Sequence, residues 1–413
     1  MTTASDATYN VVIAGGGTAG LTLACALADA LGADARLAMV DRAPLDAGSQ
    51  SGDARAFALA AGSKRMLAVL GVWPAIAEHA QPVTAVDITD SSLQDAFRPV
   101  LVSYDNRVEG EPATYIVENE RLHRALLAAA GARPSIAMLG GAAVESFRAD
   151  EHGVSVEVSG GKSLRAALLV AADGRDSRLR DLAGIKIVRW SYPQVGIVTT
   201  VRHEAPHQGR AVQHFLPSGP FAILPLTGNR SFVTWTEDAD KAREILARDD
   251  LGFLAEVEQR FGFKLGAIAL AGPRGSWPLD MHLARAMVAN RFALAGDAAH
   301  GVHPIAGQGL NLGLRDVAAL AEVVADAARL GLDIGSLATL ERYERWRRLD
   351  SALSAATFDA LNRLFSNDST LLRTARDFGL GLVERMPALK QFFVAEAAGL
   401  TGEVPKLLRG ERV

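Results

Sequence analysis

Short apolar runs and Ala/Leu-rich segments alternate near the start of the chain. Residues 11–14 and 37–40 are apolar throughout, which is typical of strands buried on both faces of a sheet. Residues 18–31 lie between them and are rich in Ala and Leu, which favours a helix packed on that sheet. Because a βαβ unit takes about 30 residues, this pattern predicts an α/β fold.

The pattern changes twice farther along the chain. Segments of helical pattern are residues 59–70 and 119–130, and segments of strand pattern are 113–117, 144–158, 167–172, 185–201, 212–215, 221–226 and 231–235. The strands after residue 183 are separated by turn residues, which predicts an antiparallel sheet. A buried-strand pattern returns at residues 291–296, and the chain from residue 308 onward is mostly of helical pattern. We therefore predict an α/β domain that is interrupted by an antiparallel β-sheet and followed by a helical region.

Composition narrows the class of protein. The 413 residues carry 43 basic and 47 acidic side chains, a formal net charge of −4, which argues against nucleic acid as a partner because phosphate binding needs a basic surface. Cys25 is the single cysteine, which excludes a disulfide framework and a thiolate zinc site. No apolar run reaches the roughly 18–20 residues of a membrane span, and the first ten residues do not look like a secretion signal. These features predict a soluble, cytoplasmic protein of two or three domains.

A glycine-rich turn joins the first strand to the first helix. Gly15, Gly17 and Gly20 have the G-x-G-x-x-G spacing, with Thr18 and Ala19 between the last two. Such glycines allow a tight turn whose backbone amides approach a pyrophosphate at the helix N-terminus. Asp41 and Arg42 follow at the end of the second strand, where a carboxylate can bind a ribose diol. The motif predicts dinucleotide binding, and a purely structural turn is the alternative.

Two further acidic turns follow apolar strands. Asp173 and Gly174 come after residues 167–172, and Gly296 and Asp297 come after residues 292–295. Open α/β sheets bind ligands at the carboxyl ends of their strands, so both turns are candidate cofactor contacts. An Asx turn or a helix N-cap would explain either one equally well.

Taken in order, these motifs carry a family resemblance. The segments GGGTAG, ADGRDS and AGDAAH resemble those of the FAD-dependent aromatic hydroxylases related to para-hydroxybenzoate hydroxylase. Residues 303–316, HPIAGQGLNLGLRD, are similar to a segment of the ubiquinone-biosynthesis hydroxylases, as are residues 364–368, 389–393 and 398–402. The resemblance thus covers essentially the whole chain and implies a Rossmann-like FAD-binding domain.

The resemblance also implies roles for individual residues. Asp297 would contact the ribityl or ribose part of FAD, and the segment 173–180 would serve both FAD and the nicotinamide cofactor. The backbone at the start of the helix after residue 308 would face the flavin ring, where helix amides stabilise negative charge. For Arg55 a solvated surface position is the alternative, and for Asn119 a helix cap. The implied catalytic positions are Pro304, Gly307 and Gln308; the implied cofactor positions are Gly15, Gly17, Thr18, Ala19, Gly20, Asp41, Arg42, Arg55, Asn119, Arg121, Asp173, Gly174, Gly296, Asp297, Pro304, Gly307, Gly309, Leu310 and Asn311.

The activity implied by the resemblance is ring hydroxylation in ubiquinone biosynthesis. NADH or NADPH would reduce FAD, and reduced flavin would react with O2 to give a C4a-hydroperoxide that hydroxylates a polyprenylated phenol or quinol. No metal is expected, because His300 and His303 lack a carboxylate or thiolate cluster around them. Two alternatives stay open: a hydroxylase of a small soluble aromatic compound, and a flavin-binding scaffold without catalysis in a quinone-synthesis assembly.

The resemblance divides the chain into three regions. We predict an FAD-binding domain of residues 1–80, 100–182 and 283–330, a β-rich substrate domain of residues 81–99 and 183–282, and a helical region of residues 331–413. Five apolar residues of the β domain are candidates for the substrate pocket wall, although for each of them we favour core packing: Phe215, Phe221, Ile223, Leu224 and Trp235. The tail around residues 390–409 would touch the inner membrane surface or a partner protein, or would pack on its own core, which we favour.

Overall fold

The computed structural model describes residues 7–46, 55–90, 93, 98–302, 308–348, 350, 353, 391 and 394–413. The described strands are β1 Ala7–Ala14, β2 Leu37–Asp41, β3 Ala56–Ala60, β4 Gln81–Pro82, β5 Ala85–Asp90, β6 Val102–Asp105, β7 Arg107–Val108, β8 Glu111–Pro112, β9 Thr114–Glu118, β10 Ile136–Gly140, β11 Val144–Ala149, β12 Val154–Val158, β13 Lys162–Ala171, β14 Ile187–His203, β15 Arg210–Leu216, β16 Gly219–Leu226, β17 Arg230–Asp238, β18 Ile268–Leu270, β19 Gly275–Ala284, β20 Val288–Ala289, β21 Phe292–Leu294 and β22 His300–Gly301. The α-helices with defined bounds are α1 Thr18–Leu31, α2 Ala61–Val69, α3 Asn119–Gly131, α4 Arg178–Leu182, α5 Ala239–Leu246, α6 Asp250–Phe261, α7 Gly309–Arg329 and α8 Lys406–Arg409.

The first sheet contains the predicted βαβ unit. Its parallel strands run in the order β10-β2-β1-β13, and β21 continues this parallel set on the far side of β13. Strands β12 and β11 extend the other half of β13 in antiparallel fashion. In register, Ala14 of β1 lies beside Ala171 of β13, and Ala171 lies beside Leu294 of β21. The three turns that the sequence singled out therefore leave the sheet side by side at its carboxyl edge.

The second sheet is the predicted insert, and its described strand pairs are antiparallel except that of β5 with β15, which is parallel. The described strands run in the order β22-β19-β14-β17-β16-β15-β5-β6, with β18 also on β14. This mixed α/β architecture confirms the predicted fold class. Strand β6 belongs to the inserted sheet, whereas the prediction placed residues 100–182 in the other domain. The domain boundaries themselves stay a prediction.

The two faces of the inserted sheet pack against different partners. Phe221, Ile223 and Trp235 share a buried cluster with residues of α5 and α6 on the outer face. Leu224 lies on the inner face, in a cluster with residues of β3 and β9. Because side chains alternate along a strand, Phe215 lies on the inner face as well. The pocket-wall interpretation is wrong for the three outer residues, and for them core packing is confirmed.

One predicted helix begins later than expected. Residues 59–70 were predicted to be helical throughout, but Ala56–Ala60 forms β3, and α2 begins at Ala61. The backbone of β3 pairs in antiparallel fashion with β9, a contact between distant parts of the chain that local periodicity does not reveal. The helices predicted at residues 18–31 and 119–130 are confirmed.

The C-terminal segment packs on the first domain. Val394 and Ala398 are buried with Ala61 and Ala113, and the amide of Gly62 donates to the carbonyl of Ala398. Core packing, the favoured alternative for the tail, is thus confirmed at these positions. Residues 364–368 and residues 371–382 of the predicted helical region lie outside the described residues. None of the helices in the described ranges combines the length and apolar character that crossing a bilayer requires.

Candidate functional site

The glycine turn packs so closely that side chains are excluded at two of its positions. Gly15 has a φ of +112°, and a Cβ there would lie 2.2 Å from the carbonyl oxygen of Ala172. A Cβ at Gly20 would lie 1.9 Å from the carbonyl oxygen of Gly15. At Gly17, by contrast, a Cβ would meet nothing within 4 Å. Gly15 and Gly20 therefore allow the turn to form, while Gly17 leaves space in front of the start of α1.

The first turn of α1 carries no competing anion. Its N-cap, Gly17, has no side chain to accept a hydrogen bond, and no acidic residue lies in the first turn. Thr18 and Ala19 are half-buried there, and the Thr18 carbonyl accepts a hydrogen bond from the Thr22 hydroxyl. The free amides and the helix dipole suit a phosphate group. This geometry fits the pyrophosphate of a dinucleotide.

Asp41 braces the glycine turn from the neighbouring strand. Its carboxylate accepts hydrogen bonds from the amides of Gly16, at 2.5 Å, and Ala43, at 2.6 Å. Because a carboxylate has about four acceptor positions, two are left for a ribose diol. Arg42, the next residue, is exposed. The predicted ribose contact of Asp41 is therefore compatible with its role in holding the turn.

A buried arginine links the two acidic turns. Arg180 Nη1 donates to the carbonyl of Arg175, at 3.0 Å, and to the carbonyl of Ala298, at 3.1 Å. One guanidinium thus spans the segment that holds Asp173 and the segment that holds Asp297. The sequence analysis places Arg180 in a segment that is expected to bind cofactors. In the structure its side chain is buried and links the two turns.

Both acidic side chains of these turns are exposed at the sheet edge. The Asp173 carboxylate lies 3.5 Å from the amide of Leu179, beside Gly174, which has a φ of +88°. Asp297 is exposed although its neighbours on both sides are buried. Gly296 has a φ of +64°, and a Cβ there would lie 3.1 Å from Ala19 Cβ, so the turn that carries Asp297 packs directly on α1. The helix N-cap alternative does not apply to Asp173, because Ser177 caps α4.

A cluster of arginines lies near these turns. Arg175 pairs with Asp280, which also lies 3.5 Å from Arg189. Arg55 lies over the ring of Trp277, with its Cζ 5.7 Å from the ring centroid. Although Arg55 is exposed, it is therefore placed by an aromatic side chain and is not a free surface arginine. The cluster puts positive charge close to the carboxyl edge of the first sheet.

Helix α3 is hydrogen-bonded to two parts of the candidate site, the backbone at Arg55 and the glycine turn. The amide of Asn119, a buried residue, donates to the carbonyl of Arg55 at 2.9 Å. One turn later, His123 Nε2 donates to the carbonyl of Gly16 at 3.1 Å. Arg121 lies between them and is exposed. Sequence reasoning missed His123, because nothing in the sequence signals the contact between α3 and the glycine turn.

The start of α7 is anchored by one amide side chain. Asn311 donates to the carbonyl of Ala58, at 2.8 Å, and to Gln308 Oε1, at 3.1 Å; its Oδ1 accepts from the Ala60 amide and the Ser63 hydroxyl, both at 2.9 Å. All four hydrogen-bonding positions of the amide are therefore used within the protein. Any contact of Asn311 with a cofactor would come from its backbone.

The remaining residues of this segment are small or apolar. A Cβ at Gly309 would lie 3.6 Å from Val302, and Leu310 packs at the edge of the main core. The first turn of α7 has neither an acidic residue nor a side-chain cap, so its amides suit the electron-rich edge of a flavin. Two predicted catalytic positions, Pro304 and Gly307, lie outside the described residues.

A buried charge network that the sequence did not reveal supports the turn of Asp297. The Asp316 carboxylate accepts from the Gly296 amide (3.0 Å), His300 Nε2 (2.5 Å) and Arg347 Nε (2.8 Å). Burial alone would raise the pKa of Asp316, but the neighbouring His300 and Arg347 outweigh it and hold the pKa below its ordinary value. Asp316 thus ties Gly296, in the turn that carries Asp297, to Arg347 in the C-terminal helical segment.

Two buried histidines predict a pH-dependent stability. Burial lowers the pKa of His214 and of His282 from 6.5 to about 4. Between these values the unfolded chain binds more protons than the folded chain, so the free energy of unfolding should fall as the pH drops from 6.5 toward 4. Each histidine contributes on the order of 3 kcal/mol across this interval.

Urea denaturation at several pH values tests this prediction. His214→Asn should weaken the dependence, because Asn keeps a polar partner for Thr89 Oγ1, which lies 2.6 Å from His214 Nδ1, but does not titrate. Substituting His152, an exposed residue in a turn, by Asn should leave the pH dependence as it is. The prediction is wrong if His214→Asn has the same slope as the unsubstituted chain between pH 6.5 and 4.

The chain matches known proteins along nearly its whole length. Residues 8–352 match the model of a family described as FAD binding domain. The ubiquinone hydroxylase UbiL of Rhodospirillum rubrum is 44% identical over 99% of this chain and 95% of its own length. This chain belongs to the ubiquinone-biosynthesis hydroxylases, a family of FAD-dependent aromatic-ring monooxygenases.

Two other comparisons agree with this hydroxylase family. The 3-demethoxyubiquinol 3-hydroxylase of Escherichia coli K12 is 33% identical, over 94% of this chain and 98% of its own length. Among solved structures, p-nitrophenol 4-monooxygenase PnpA of Pseudomonas putida DLL-E4 superposes with a TM-score of 0.79 at 20% identity, over 96% of this chain and 99% of that chain. The last comparison shows a shared fold, and the predicted family resemblance is confirmed.

Proposed function

We propose that this hydroxylase uses FAD, O2 and NADH or NADPH to hydroxylate the aromatic ring of a polyprenylated phenol or quinol in ubiquinone biosynthesis. The observation that carries the proposal is the 44% identity to a protein named ubiquinone hydroxylase, over 99% of this chain. The alignment of three cofactor turns at one sheet edge supports it. Bound FAD supplies the activation of O2, with reducing equivalents from the nicotinamide.

The protein's own part in this reaction is to bind and orient. The amides at the start of α1 would hold the pyrophosphate, Asp41 the adenosine ribose, and Asp297 the ribityl chain. The amides at the start of α7 would face the flavin ring and stabilise negative charge on it. The arginine cluster near Arg175 has the charge to receive the nicotinamide cofactor.

The substrate would lie between the two sheets. An apolar cluster on the inner face of the inserted sheet packs on β3 and β9, with Leu224 and Phe232 among its members. A pocket closed by such side chains keeps water away from the reacting centre, which prevents loss of the activated oxygen. No polar group of this face has to activate the ring, since a phenol is already electron-rich.

Replacement of Asp297 by Ala tests the cofactor assignment. We expect FAD to bind about 10- to 100-fold more weakly, because one or two charge-assisted hydrogen bonds to the ribityl chain are lost. Equilibrium dialysis followed by the flavin absorption spectrum measures the affinity. Asp34→Ala, at an exposed turn after α1, is the matched control and should keep the original affinity. Equal FAD affinity in both variants would contradict the role of Asp297.

Product analysis tests the reaction itself. The FAD-loaded protein is incubated with NADH or NADPH and either a prenylated phenol or para-hydroxybenzoate, and the products are identified by mass spectrometry. Hydroxylation of the prenylated phenol supports the proposal. Activity on para-hydroxybenzoate alone would favour the soluble-aromatic alternative, and a colourless protein that does not bind FAD would favour the non-catalytic scaffold.

We also infer that the protein works at the periphery of the inner membrane, alone or with other proteins of quinone synthesis. The proposed substrate is lipid-soluble, which supports this inference. Co-sedimentation with liposomes tests it, and the full chain is required. A chain cut after residue 386 would lose buried contacts such as those of Leu407 and Leu408. Full-length protein that stays in the supernatant with neutral and anionic liposomes alike would contradict membrane contact.

A further inference from the structure

The inner face of the inserted sheet carries a polar group, the amide of Gln213, that the proposed function has not used. Gln213 lies on β15, and its Nε2 atom is buried without a hydrogen-bond partner. A buried N–H donor that is left unpaired costs about 1–3 kcal/mol, although the Gln213 residue as a whole is half-buried. Such a group is therefore expected to be paired by something that binds there.

The alternation of side chains places Gln213 toward the cofactor domain. Ala211, two residues earlier on the same face, belongs to one apolar cluster with Ala56 and Ala58 of β3. The carbonyl of Ala58 accepts the hydrogen bond of Asn311 at the start of α7. Because residues two apart on a strand are about 7 Å apart, Gln213 lies one side-chain row along β15 from a member of this cluster.

The neighbours of Gln213 on this face are mostly apolar, with two polar exceptions: Thr234 of β17 and the buried carboxylate of Asp90, two residues beyond Ile88 on β5. In register it lies between Ile88 of β5 and Ala222 of β16, and Ala222 lies beside Thr234 of β17. Phe215 follows on the same strand and face. A flat aromatic ring suits a surface of this kind, and the amide N–H groups would then meet an oxygen on the ring.

We propose that Gln213 donates a hydrogen bond from Nε2 to a ring oxygen of the aromatic substrate and so selects rings that carry an oxygen at that position. This inference rests on the proposed function and deepens it. A site built around a hydrogen bond rejects an analogue that lacks the partner, because its own polar group is then left unpaired.

Gln213→Met tests the proposal, because Met keeps the length of the side chain and removes the donor. The probes are a short-chain 2-prenylphenol and prenylbenzene, which lacks the ring oxygen, and binding to the FAD-loaded protein is followed by the flavin absorption spectrum. We expect the unsubstituted chain to prefer the phenol by about 10- to 100-fold. In Gln213→Met that ratio should fall to about 3-fold or less, with FAD affinity unchanged.

The control is Gln259→Met, the same change at an exposed position of α6, which should keep the full preference. An unchanged preference in Gln213→Met would overturn the inference while leaving the proposed hydroxylation in place. Equal binding of the two probes by the unsubstituted chain would overturn it as well, without any need for the variant to fold. If the unsubstituted chain neither binds nor hydroxylates any oxygen-bearing ring, both the inference and the proposed function are wrong.

Discussion

Replacing Gly20 with Ala should destabilise the protein by about 2–3 kcal/mol and abolish FAD binding. The new Cβ would lie 1.9 Å from the carbonyl oxygen of Gly15, a backbone atom that cannot turn aside as a side chain can. Either α1 or the glycine turn must shift, and the amides at the start of α1 then leave their position. Urea denaturation and FAD titration measure the two effects.

Alanine substitutions at two other glycines distinguish the effect on stability from the effect on cofactor binding. At Gly131, the last residue of α3, a Cβ would meet nothing within 4 Å, so Gly131→Ala should be neutral or slightly stabilising. Gly17→Ala should also keep the stability, because the site has room, but its methyl group would occupy the space expected for the pyrophosphate. A Gly20→Ala variant that is as stable as Gly131→Ala and binds FAD equally well would contradict this prediction. The close approach of α1 to the glycine turn would then not be the reason for a glycine at position 20.

Replacing Asp316 with Ala should cost about 3–5 kcal/mol, because it leaves Arg347 as a buried charge without this partner. Asp316 is completely buried and accepts three hydrogen bonds, from Gly296, His300 and Arg347. Thermal and urea denaturation measure the loss. Weaker FAD binding should accompany it, since the amide of Gly296 belongs to the turn that carries Asp297.

A control substitution on the same helix distinguishes the loss of a buried carboxylate from the loss of a partly exposed one. Asp326 of α7 is partly exposed, and its ion-pair contacts with Arg342 and Lys406 are 3.7 and 4.0 Å long. Asp326→Ala should therefore cost less than about 1 kcal/mol. In addition, Asp316→Leu combined with Arg347→Leu should recover part of the loss, because no unpaired charge remains. A loss at Asp316 no larger than that at Asp326 would contradict the stabilising role of the network.

Sequence reasoning worked best where local pattern and local chemistry agree. The helix at residues 18–31 was predicted with its exact bounds, because a strand, a glycine turn and an Ala-rich helix follow one another without interruption. It failed at residues 59 and 60, which were predicted to be helical but belong to β3 and pair with β9, since a short apolar segment suits a strand or a helix equally well. The inserted sheet was predicted, but the face on which each apolar side chain lies was not.

The sequence by itself determined the α/β class, the order of the three candidate cofactor turns and the family, because these depend on residue types at short spacings. Only the tertiary structure decided which of these residues meet. The parallel register of β1, β13 and β21 brings residues 14, 171 and 294 side by side, although they are far apart in the chain. Arg180, His123 and Asp316 hold these turns through contacts with distant backbone or side-chain atoms. Such contacts leave no periodic trace in the sequence, because each depends on where a distant segment is placed when the whole chain folds.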